Sequence, residues 1–84
     1  MKPIIFTLHA KLKAAQRGCL EEEVKTTILT QAWELNEMQK FECRMNFEFN
    51  NIWNKNFYTT KQVRPIFVEE ETQIVVITVY TYYF

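Results

Sequence analysis

Aspartate and serine are absent from this sequence, and glycine and histidine occur once each, as Gly18 and His9. Each absence removes a class of chemistry. Without serine there is no serine-hydrolase nucleophile, and without aspartate there is no EF-hand loop. One glycine cannot build the glycine-rich turn that wraps phosphate in backbone N–H groups, so any phosphate would have to be held by side chains. Cys19 and Cys43 lie far apart and form no C-x-x-C pair. With a single histidine they make too small a set for zinc, so no metal and no other cofactor is expected, and both thiols are read as reduced and buried. Long hydrophobic runs are also missing. The stretch after Met1-Lys2 is broken by His9 and Lys11 before it reaches the length of a secretion-signal core, and residues 73–84, though uncharged, fall short of the roughly 20 that span a bilayer. A cytoplasmic protein without membrane contact is expected.

The chain has 84 residues, 48% of them hydrophobic and 15% aromatic. That supports one domain, residues 1–84, with one core. Ten Lys and Arg balance ten Glu, so there is no net charge to draw nucleic acid by counterion release.

Residues 4–8 form a short strand-like run that delivers His9 to a helix over 9–17, closed by Gly18 in the left-handed conformation of a C-cap. A second helix is expected from Glu21, where three glutamates suit the positive end of the dipole, to about Asn36, with Val24, Ile28, Ala32 and Leu35 near one face. Over 40–49 the pattern is strictly alternating: Phe41, Cys43, Met45, Phe47 and Phe49 are apolar and the residues between them polar. Period two over that length predicts an antiparallel strand with one wet face. Residues 50–56 read as a turn. A strand follows over 57–68, with Pro65 marking an edge or a bulge, then a turn at Glu69–Glu71. Residues 74–84 are β-branched and aromatic on both sides, which predicts an interior strand covered on both faces. The expected fold class is α+β, order β-α-α-β-β-β, with two N-terminal helices packed on an antiparallel sheet.

Four short motifs occur in order: Phe6-x-x-His9-Ala10, Arg17-Gly18, Glu21-Glu22-Glu23-Val24 and Ile77-Thr78-Val79-Tyr80. Over nearly the whole chain this arrangement resembles a family of small bacterial domains of unknown function, itself similar to the RelE/ParE-like toxin superfamily. The resemblance implies a RelE-like fold and a small binding or regulatory domain without catalysis. Its alternative is a metal-independent endoribonuclease toxin of a toxin–antitoxin pair. The chain departs from the family at Leu20, where relatives carry a serine N-cap, and at Lys13-Ala14-Ala15-Gln16, where they are richer in arginine.

An endoribonuclease of this kind needs an acid or base, cations for the phosphorane and groups that hold RNA. His9, Arg64 and Tyr80 are the catalytic candidates, and Arg17, Lys61 and Tyr82 the phosphate- or RNA-binding ones. Each also has a plainer reading. His9 can fix the strand-to-helix turn, and Arg17 can complement a helix C-terminus. Lys61 and Arg64, three apart on a strand, point to opposite faces. Tyr80 and Tyr82 share a stripe with Phe84 that suits a core or a dimer seam, while Trp33 and Trp53 suit core and lid positions. The partners implied are an antitoxin-like protein, RNA or the ribosome, and a second copy joined through the C-terminal strand.

Overall fold

Thr7 is where the first strand becomes the first helix. Its Oγ1 accepts the Ala10 N–H at 3.0 Å, an N-cap, and donates to the Ile77 carbonyl at 3.3 Å, which ties the helix start to the sheet. In the computed structural model, which describes residues 2–84, the elements run β1 (Ile4–Phe6), α1 (Leu8–Gln16), α2 (Glu21–Thr30), β2 (Glu34–Leu35), β3 (Phe41–Glu42), β4 (Met45–Trp53), β5 (Asn56–Glu69) and β6 (Ile74–Tyr83). The fold is α+β, with two helices and a six-stranded sheet in the order β1-β6-β5-β3-β2, β4 pairing on β5. The sheet is mixed rather than antiparallel throughout, because β1 lies parallel to β6.

α1 closes in a Schellman motif. Cys19 N–H bonds the Ala14 carbonyl at 2.8 Å, Gly18 N–H reaches Ala15 at 3.4 Å, and Gly18 takes φ +70°. The turn is sealed by aromatic side chains: a Cβ at position 18 would lie 2.5 Å from Tyr83 Oη and 2.6 Å from Trp53. Gly18→Ala therefore combines left-handed strain with overpacking and is expected to lower stability by about 2–3 kcal/mol. Urea unfolding followed by far-UV circular dichroism reads this, and a loss below about 0.5 kcal/mol would contradict the packing described.

α2 starts at Glu21, as its sequence predicts, and since Leu20 at the N-cap has no polar side chain the cap is supplied from within the helix. Glu23 Oε1 accepts the Leu20 N–H at 2.9 Å, the carboxylate half of a capping box. The helix ends at Thr30, earlier than the expected Asn36. Trp33 turns back so that its indole Nε1 donates to the Ile28 carbonyl at 2.8 Å, which satisfies an end carbonyl of α2 and docks the ring on the core. Ala32 and Leu35 are consequently exposed.

β3 and β4 share one register on β5 and are separated at Cys43-Arg44, across from Arg64-Pro65. Pro65 is not at a sheet edge: it is buried, opposite Val79 of β6. Thr60 and Phe84 exchange both backbone bonds, so even-numbered β5 residues aim their backbone groups at β6 and odd-numbered ones at β3 and β4. Pro65, which has no N–H, faces the interruption in the neighbouring strand. The expected turn over 50–56 is mostly strand. Only Asn54 and Lys55 turn, at φ 50° and 71°, while Asn50 at φ 44° forms a bulge within β4.

Both helices pack on one face of the sheet. Ala10, Ala14, Val24 and Ile28 bury against Val63, Phe67, Val76 and Val79. Among the described residues no helix packs on the other face, so β6 has a wet side instead of the double cover expected of it, with Tyr80 37% and Tyr82 42% exposed.

Candidate functional site

Alternation along β5 sorts the candidates. Val63 and Phe67 point into the core, and so does Lys61. Its ammonium is buried, 2.8 Å from Glu23 Oε1 and 3.0 Å from the Gly18 carbonyl. Lys61 is thereby committed to locking α2 and the Arg17-Gly18 turn onto the sheet, and it is not available to RNA.

Arg64 stands on the opposite, open face. Its Nε donates to Glu42 Oε2 at 2.8 Å and its Nη1 to Tyr82 Oη at 2.8 Å, and its guanidinium carbon lies 5.2 Å from the centre of the Tyr80 ring. Arg17 reaches the same ring from the end of α1. Its Nη1 donates to the Val79 carbonyl at 2.6 Å and its guanidinium carbon lies 4.8 Å from the Tyr80 centroid. Arg17, Arg64, Tyr80 and Tyr82 thus form one cluster, a tyrosine ring engaged by two cations. His9 is not in it. It is exposed in the first turn of α1, about eight helical residues or ~12 Å along the axis from Arg17.

Burial works against the charge of Arg64, but the hydrogen bond to Glu42 and the neighbouring Tyr82 outweigh it and raise its pKa. The other displaced groups also move away from neutrality. Burial pushes Cys19 up to about 12, Cys43 to about 11 and Tyr83 to about 12. Glu23 adds to the shift at Cys19. None of the four is poised as a general acid or base at pH 7.

No protein-family model, curated protein or solved structure matches this chain. Among the described residues there is no group of three or more metal-ligating side chains, and no helix is long and apolar enough to cross a membrane.

Beside the cluster lies an open groove of about 370 Å³, lined by Asn36, Met38, Lys40, Ile66, Ile77 and Thr78 together with Arg64 and Tyr80. Met38, Ile66 and Ile77 give it apolar surface, and Lys40 and Arg64 bring two cations to it. Sequence reading names the arginines and tyrosines of this face but misses Glu42 and Lys40. The available signal is the polar phase of residues 40–48, which places Glu42 on the same face as Arg64 once the strands are in register. The loop residues Asn36 and Met38 carry no such signal. Their positions come from the Asn36 side chain, whose Oδ1 accepts the N–H groups of Met38 at 2.9 Å and Lys40 at 3.0 Å.

Proposed function

We propose that the chain is a small, non-catalytic binding or regulatory domain of the RelE/ParE-like kind. Its open sheet face accepts an acidic, partly apolar segment of a partner protein, the role an antitoxin-like chain would fill. The groove next to the Arg17–Tyr80–Arg64 cluster carries this reading: Met38, Ile66 and Ile77 offer aliphatic contact while Lys40 and Arg64 stand beside them. Lys40 and Arg17 form no ion pair among the described residues, which leaves two positive charges for carboxylates to meet. A protein segment suits the face better than RNA does. The Tyr80 ring is already engaged by two guanidinium groups, and the balanced charge of the chain gives little counterion-driven attraction. The endoribonuclease alternative requires His9 beside Arg64 and Tyr80, and His9 stands at the far end of α1.

The test pairs two probes on isotopically labelled protein, a peptide of alternating glutamate and leucine and a uridine oligonucleotide. Saturable amide shifts confined to residues 36–40, 62–66 and 77–82 are expected with the peptide and should be lost in Lys40→Glu. Inducing the protein alone in a bacterium is expected to leave growth and transcripts intact. Saturable oligonucleotide binding on this face, or new RNA ends that disappear in His9→Ala, would overturn the proposal.

A further inference from the structure

β6 is paired along one edge with β5, and its other edge is taken as far as Val79 by β1, by Thr7 at the Ile77 carbonyl and by Arg17 at the Val79 carbonyl. The long open edge belongs to β4, which among the described residues pairs with β5 alone, whereas the end strands β1 and β2 are three and two residues long. Since odd-numbered β5 residues bond toward β4, the partners Met45 and Val63, and Phe47 and Lys61, exchange those bonds. The backbone groups of Asn46 and Glu48 therefore point outward from the sheet, as do those of Arg44 where it continues the alternation. The bulge at Asn50 ends this flat stretch.

We propose that this edge pairs with the same edge of a second copy of the chain, antiparallel, about a two-fold axis at Asn46. Backbone bonding alone would equally allow axes at Met45 or Phe47, because each sets outward-facing residues opposite one another. The side chains distinguish the three. Asn46 and Glu42 lie on the open face through their bonds to Gln62 and Arg64, so Arg44 and Glu48, both exposed, alternate onto that face too. An axis at Asn46 sets Arg44 of each copy against Glu48 of the other, twice by symmetry. An axis at Phe47 would set Glu48 against Asn46, and one at Met45 would leave Glu48 beyond the strand interruption. Arg44 makes no ion pair within its own chain among the described residues, and Glu48 makes none either. On the helix side the same axis crosses Met45 with Phe47, both half-buried in the single chain. The two sheets then join into one, with the open faces side by side.

Sedimentation of the full chain over a concentration series tests this. The parent protein is expected to rise toward about twice the monomer mass. Arg44→Glu and Glu48→Arg, each at an exposed position and each checked for native circular dichroism, should remain monomeric at concentrations where the parent is dimeric. An equimolar mixture of the two should dimerise again, because one chain then carries glutamate at both positions and the other arginine at both, so that opposite charges meet at each crossing. A parent that stays monomeric throughout, or single variants that dimerise like the parent, would overturn the proposal.

Discussion

Phe67→Ala is expected to lower stability by about 3–5 kcal/mol, the range for deleting a fully buried phenylalanine. Phe67 is 0% exposed and sits mid-strand in β5. Trp33 meets it edge-on with ring centroids 4.9 Å apart, and Phe41 lies 6.1 Å away. Trp33 is also the residue that finishes α2, through its bond to Ile28. Removing the Phe67 ring therefore opens a cavity and loosens the end of a helix at once. A domain this small holds a stability near the low end of about 5–15 kcal/mol, so the variant should show a shallow, early urea transition or none. Trp fluorescence and far-UV circular dichroism read the two events together. A loss of less than about 1 kcal/mol would mean that the core is centred elsewhere.

Glu23→Ala is expected to cost a similar amount, about 3–5 kcal/mol, for a different reason. Lys61 is only 5% exposed, and without Glu23 its ammonium keeps just the Gly18 carbonyl and the Phe49 ring, whose centre is 5.4 Å away. The penalty is mainly that of an unmatched buried charge, with a smaller part from the Leu20 N–H that loses its acceptor. The double variant Glu23→Leu/Lys61→Met removes both charges and should recover more than half of the loss. Salt should change the wild-type stability little through this pair, because it is shielded from solvent ions. Equal losses in the single and double variants would show that packing, not charge, governs this site.

Much of the architecture is legible where the sequence has a clean period or a decisive residue. Gly18 marks the end of α1, Glu21 the start of α2, and the alternation from Phe41 to Phe49 reports one buried and one wet face. What escapes is set by partners distant in sequence. α2 stops at Thr30 although the apolar period runs on to Leu35, and the Ile28 carbonyl left at its end is taken by Trp33. The interruption after Glu42 faces Pro65 on a neighbouring strand. Four asparagines between 50 and 56 disguise a two-residue turn and a separate bulge as one loop. β6 is apolar on both sides, yet only one side is covered, because both helices lie on the same face. At the candidate site the residue types suggest Arg17, Arg64, Tyr80 and Tyr82, and the strand register brings them together. The same register sends Lys61 into the core, and the length of α1 leaves His9 apart.

The placement of β1 also governs when the molecule can be completed. Thr7 bonds Ile77, seventy positions later in the chain. On a ribosome, β1 and both helices emerge well before the strand on which β1 pairs and α1 packs. β6, made after the other seven elements, inserts between β1 and β5, so their apolar faces gain this partner only late. Such contacts across nearly the whole chain slow folding relative to a helical bundle of the same size.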